Sequence, residues 1–129
     1  MFRKTLIGAF GISVAVVCTP VASAHHVIPE SASLVLTVTG SESPTMTGTL
    51  QCRPAGGLHR KPAAACRELS LVNGDFDKLD VGPDRACTLQ YDPVYVTATG
   101  HWHGKKVDFA TSYGNSCQFA VATGPVFAV

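Results

Sequence analysis

The sequence predicts an α+β domain, an antiparallel sheet with helix packed on one face. Three observations point there. Leu34–Thr39 and Val94–Thr99 alternate apolar and polar residues with the period of two that a half-buried strand requires. A central segment instead places Ala65, Leu69 and Val72 at the i, i+4, i+7 spacing of one helix face. Four cysteines lie beyond residue 24, an even count that suits two disulfides in a small domain.

The first 24 residues read as a separate unit. Arg3 and Lys4 form a positive start, Leu6–Val17 is an uncharged apolar run, Pro20 breaks it, and Ala22-Ser23-Ala24 offers small residues for cleavage. This is the pattern of a secretory signal peptide, with cleavage expected after Ala24 and an extracellular product. The apolar run is too short for a membrane anchor, which needs about 20 residues. A lipid anchor through Cys18 is disfavoured by bulky Val17. Residues 25–33 have no periodicity and are expected to form a flexible tail, leaving 34–129 as one domain.

Within that domain, Leu34, Leu36 and Val38 share one strand face. Gly40–Pro44 is a turn, and Thr47–Cys52 reads as a second strand. Pro54, Gly56 and Gly57 mark a loop. Pro62 can open the helix, where its missing N–H costs nothing, and Asn73-Gly74 stops it. Asp75–Asp84 is polar with anchors at Phe76, Leu79 and Val81, an irregular stretch or a short helical turn. The strand from Val94 leads to turn formers at Gly100–Gly104, and Lys106–Tyr113 alternates again with Val107 and Phe109 on one face. After Gly114-Asn115, Cys117–Ala122 is expected to resume the sheet, and Val126–Val129 to end it as a short strand.

Composition limits the function. The leader carries two of the ten basic residues, leaving eight against nine acidic ones, so the remainder has no electrostatic footprint for nucleic acid or an anionic membrane. Gly-x-Ser-x-Gly, His-Glu-x-x-His and phosphate-loop motifs are absent, which argues against an enzyme. Without a Cys-x-x-Cys pair a zinc site through cysteine is disfavoured. His101-x-His103 would share a side if extended, but no third ligand is evident, and His25-His26 sits in the tail. No metal or cofactor is expected. Cys52, Cys66, Cys87 and Cys117 allow three pairings; the sequential one closes loops of about 15 and 31 residues, each worth roughly 3–4 kcal/mol.

The segment Ala86-Cys87-Thr88-Leu89-Gln90-Tyr91-Asp92-Pro93-Val94 lies between the irregular stretch and a strong strand. Cys87 anchors its near side, and Pro93 closes its far side with a fixed φ. The residues between favour extended backbone. A loop held extended at both ends has the shape of a bound protease substrate. Read alone, Leu89 could equally be a partly buried loop leucine.

Further landmarks run in order along the chain: Ser33–Val38, Leu50–Pro54, Gly56–His59, Ala65-Cys66, Leu69, Gly74–Phe76, Tyr91–Val94, Gly100–Lys105, Asn115–Cys117 and Val126-Phe127. On these the chain resembles the Streptomyces subtilisin inhibitor family. The resemblance implies a two-layer sandwich, a five-stranded antiparallel sheet with two helices on one side, and a two-fold homodimer. It implies a substrate-like inhibitor of subtilisin-type proteases with its reactive bond between Leu89 and Gln90. Ala86, Cys87, Thr88, Tyr91 and Asp92 would be the protease-contacting loop, Cys87 would pair with Cys117, and Asn115 would support the loop alongside Pro93. Thr88 stands where some members carry proline. A large apolar Leu89 suits subtilisin pockets and chymotrypsin-like ones. The alternatives are a secreted binding module or an inhibitor of metalloproteases.

Overall fold

The computed structural model describes residue 8, residues 11–24 and residues 31–129. Arg3 and Lys4 of the expected leader, and His25-His26 with most of the expected tail, lie outside the described residues. Four strands, β1 (Ala32–Gly40), β2 (Met46–Cys52), β3 (Val94–Trp102) and β4 (Lys105–Tyr113), form one antiparallel sheet in the order β2-β1-β3-β4. Two helices, α1 (Pro62–Leu71) and α2 (Ser116–Thr123), and a 3₁₀ turn at Phe76–Lys78 complete the domain. β1 begins two residues ahead of Leu34, so Ala32 and Ser33 belong to the sheet rather than to a tail.

The alternation builds the core as expected. Ala32, Leu34, Leu36 and Val38 of β1 are buried, as are Val94, Val96, Ala98 and Trp102 of β3 and Val107 and Phe109 of β4. Ala65 and Leu69 of α1, with Phe76 and Leu79, pack into the same apolar cluster. The opposite sheet face is partly open: Val35 and Tyr95 are exposed, and Thr37 Oγ1 hydrogen-bonds Thr97 Oγ1 at 2.5 Å across neighbouring strands. α1 ends as the sequence indicates. Asn73 and Gly74 take left-handed backbone with φ of 52° and 72°. Gly74 N–H donates to the Leu69 carbonyl at 2.8 Å, satisfying a helix-end acceptor.

Two expectations fail at the C-terminus. The sheet has four strands and not five, because Cys117–Ala122 is helical and Val126–Val129 pairs with no strand. The cause of the first is Asn115, whose Oδ1 accepts from Gln118 N–H at 2.9 Å as the N-cap of α2. Gln118 Oε1 in turn accepts from Gly114 N–H at 3.2 Å, a reciprocal arrangement close to a capping box. The final segment instead folds in tight turns, with Val126 N–H on Thr123 O and Ala128 N–H on Pro125 O. Val126 and Phe127 plug the core, and Arg60 N–H holds Ala128 O at 2.9 Å. His59 accepts from Lys61 N–H at Nδ1, so its Nε2–H donates to Val126 O at 2.9 Å.

No helix among the described residues is long and apolar enough to cross a membrane. The described residues hold no cluster of three or more His, Cys, Asp or Glu that could bind a metal. His103 lies in the β3–β4 turn with φ of 47° and stacks on Trp102, ring centroids 4.6 Å apart, while His101 remains on β3.

Candidate functional site

Sheet register brings three chain segments to one edge. Val94, the first residue of β3, is flanked by Gly40 at the end of β1 and by Tyr113 at the end of β4. One step beyond that row lie Ser41, Pro93 and Gly114. The loop that enters β3 is therefore set beside the β1–β2 turn on one side and the entrance to α2 on the other.

The loop runs back along α2. Its approach is pinned at the helix C-terminus, where Val81 N–H donates to Ala122 O at 3.1 Å and Gly82 N–H to Val121 O at 2.9 Å. These bonds satisfy carbonyls that a helix end leaves free. At the other end, Cys87 is joined to Cys117 in the first turn of α2, and a second disulfide joins Cys52 to Cys66 across β2 and α1. The sequential pairing is thus the one formed.

Between these anchors the backbone from Ala86 to Pro93 has no regular secondary structure. Leu89 is 91 % exposed and Tyr91 80 %. Ala86, Thr88, Gln90 and Asp92 are exposed as well, while Cys87 and Pro93 are half-buried. The reading of Leu89 as a partly buried loop leucine fails: an unpacked leucine heads the loop.

Asn115 supports this loop from beneath. Its side chain is buried, and its Nδ2 donates to the Thr88 carbonyl at 2.9 Å and the Gln90 carbonyl at 2.7 Å. The three hydrogen bonds of this amide use its oxygen for the helix and both of its N–H groups for the loop. The two carbonyls are those on either side of Leu89. Downstream, Asp92 N–H donates to Gly114 O at 2.8 Å. The Asp92 carboxylate accepts a hydrogen bond from Ser41 Oγ. An exposed apolar side chain is thus carried on a loop whose flanking carbonyls are bonded to the domain.

A family model described as subtilisin inhibitor-like matches residues 30–115, a span that takes in the whole loop and Asn115. The chain belongs to the subtilisin inhibitor-like family. It is 46 % identical over 101 residues to subtilisin inhibitor-like protein 5 of Streptomyces fradiae, covering 74 % of this chain and 94 % of that one. It is 41 % identical over 109 residues to trypsin inhibitor STI2 of Streptomyces longisporus, covering 80 % and 75 %. The fold matches that of Streptomyces caespitosus sermetstatin, solved in complex with Bacillus licheniformis subtilisin. That likeness has a TM-score of 0.64 and 29 % identity, covering 77 % of this chain and 99 % of the other.

Against this family background, the structure assembles Cys87, Thr88, Leu89, Gln90, Asp92, Asn115 and Cys117 into one region. Trp102 is core, 1 % exposed. The resemblance implied a second helix, which α2 is, but the residue pattern did not place it, and it gave no sign of Ser41. The helix had a signal in Asn115-Ser116-Cys117-Gln118, an N-cap residue with glutamine three positions on. Ser41 had none, since its partner lies 51 positions away.

Proposed function

We propose that this protein is a substrate-like inhibitor of subtilisin-type serine proteases and that Leu89–Gln90 is its reactive bond. The protein is an inhibitor and not an enzyme. The observation that carries the choice of bond is the Asn115 amide, which bonds the carbonyls of Thr88 and Gln90 on both sides of an exposed leucine.

Leu89 enters the apolar specificity pocket of the protease, where full burial of a leucine is worth about 1.5–3 kcal/mol. The extended backbone on either side pairs with the enzyme as an added strand. The catalytic serine attacks the Leu89 carbonyl carbon, and its oxygen occupies the oxyanion hole. Because the loop is ordered before contact, binding loses little conformational entropy. A surface of about 1,600 Å² then suffices for tight association. After cleavage, the Cys87–Cys117 disulfide and Asn115 hold the new ends together. The Gln90 amine stays beside the acyl-enzyme and re-forms the bond.

Leu89 brings no positive charge to an acidic pocket, so the trypsin target in the name of the Streptomyces longisporus relative is not carried over. Chymotrypsin-like proteases, whose pockets are apolar, are the second class of target. The protein is exported: residues 1–24 act as the signal peptide and Cys18 leaves with them, so that both disulfides form in an oxidising compartment. Two copies associate through the open sheet face that carries Val35 and Tyr95.

Titration of subtilisin with the protein, read by residual hydrolysis of a chromogenic peptide, tests the function. Linear loss of activity to a sharp equivalence point is expected. Undiminished activity at a tenfold excess overturns it.

A further inference from the structure

We propose that Ser41, in the β1–β2 turn, is a positioning residue for the leaving-group side of the reactive bond. Its hydroxyl, through Asp92, keeps the Gln90 amine in place for resynthesis. The inference rests on Leu89–Gln90 being the bond that is cut.

The two sides of that bond are held by different means. The side ending in Leu89 is tied covalently two residues away, through Cys87 to Cys117. The side beginning with Gln90 has no such tie before β3 starts at Val94. It is held by Asn115 Nδ2 on the Gln90 carbonyl, by Asp92 N–H on Gly114 O, and by Ser41 Oγ on the Asp92 carboxylate. The first two supports come from the Gly114-Asn115 segment that leads into α2. Ser41 alone among the three comes from the opposite flank, where the Gly40–Val94 register sets the β1–β2 turn beside the loop. Between turn and loop lies a surface cleft lined by Glu42, Met46, Gln90, Tyr91 and Phe119, with Ser41 and Asp92 also on its wall. With open space on that flank, the charge-assisted Ser41–Asp92 hydrogen bond restrains sideways movement of the segment.

The chemistry makes that restraint matter after the first step. In the acyl-enzyme the Leu89 carbonyl carbon is esterified to the protease serine, and Gln90 carries a free amine. Attack by that amine re-forms the amide and returns the serine hydroxyl. Attack by water instead leaves a Leu89 carboxylate and completes the cut. An amine that drifts from the ester loses this competition, because its advantage is proximity.

The test incubates the full disulfide-bonded protein with catalytic subtilisin and follows the ratio of nicked to intact inhibitor by mass spectrometry at a fixed early time, before equilibrium, when it reports whether amine or water takes the acyl-enzyme. Ser41→Ala and Asp92→Ala are each expected to raise that ratio about three- to tenfold, the scale of one exposed, charge-assisted hydrogen bond. Their combination is expected to raise it no further, and Ser41→Thr to restore the parent ratio. Both Ser41 and Asp92 are exposed, so melting temperature is expected to be unchanged, which separates positioning from general loosening. A nick at Leu89–Gln90 with the same ratio in parent and Ser41→Ala overturns this inference and leaves the reactive bond standing. A parent protein nicked elsewhere overturns the reactive-bond reading itself.

Discussion

Asn115 Nδ2 lies 2.7 Å from the carbonyl oxygen of Gln90, while Oδ1 of the same amide caps α2 through Gln118 N–H at 2.9 Å. One side chain therefore joins the helix to the loop, and its two roles separate chemically. Asn115→Asp keeps an acceptor for the cap but turns a second oxygen toward two carbonyls. Asn115→Ala removes both functions and costs about 1 kcal/mol of helix capping besides. Both variants are expected to weaken inhibition at least about tenfold, as befits loss of two hydrogen bonds. Thermal unfolding is expected to distinguish them, with aspartate the more stable.

Leu89 makes its contribution in the complex, since it is 91 % exposed in the free protein. Leu89→Gly is expected to leave the melting temperature unchanged and to raise the inhibition constant for subtilisin by roughly ten- to a hundredfold. Leu89→Lys is expected to shift preference toward trypsin, measured as inhibition constants for both enzymes.

The Cys87–Cys117 disulfide has two consequences. Replacing both cysteines by serine is expected to cost about 3–4 kcal/mol of stability in denaturant unfolding, from loop-closure entropy. It is also expected to convert the inhibitor into a substrate, with protease activity recovering over hours as the loop is cut and the ends separate.

Gly74 couples helix termination to the core. Its φ is 72°, and a Cβ there would sit 2.3 Å from Trp102 Cγ. Gly74→Ala is expected to destabilise the domain by about 2–4 kcal/mol through backbone strain and forced movement of a buried indole. Equilibrium urea unfolding reads this directly.

Burial pushes the Tyr113 phenol above its ordinary value of 10.0, and the Asp77 carboxylate adds to the effect. The folded state thus holds this proton more tightly than the unfolded chain. The resulting stability is complete below about pH 10 and is lost as pH rises through the folded-state value. Urea midpoints between pH 8 and 11 are expected to fall more steeply for the parent than for Tyr113→Phe.

Much of this was legible in the sequence, and the failures have a physical pattern. β1, β3 and β4 declared themselves because one face meets the core and the other does not, which imposes a period of two on Leu34, Leu36 and Val38 and on Val107 and Phe109. α1 was legible from its apolar spacing and from Asn73-Gly74. α2 was hidden because Cys117–Ala122 is short and mostly apolar, and its polar positions are spent on capping and a disulfide. Val126 and Phe127 read as a strand because residues that plug a core from a tight turn are as apolar as those in a sheet. At the site, Leu89 and its disulfide anchor could be named from local order and family likeness. Ser41 could not, because its relation to Asp92 exists only through the pairing of β1 with β3.

The central claim is that the protease is offered one particular peptide bond. Incubation of the disulfide-bonded protein with catalytic subtilisin at low pH, followed by mass spectrometry of the separated fragments, tests it most directly. A single cut, with new termini at Leu89 and Gln90 and the fragments still joined through Cys87–Cys117 until reduction, is the predicted result. Stoichiometric inhibition accompanied by a cut at any other bond would contradict it.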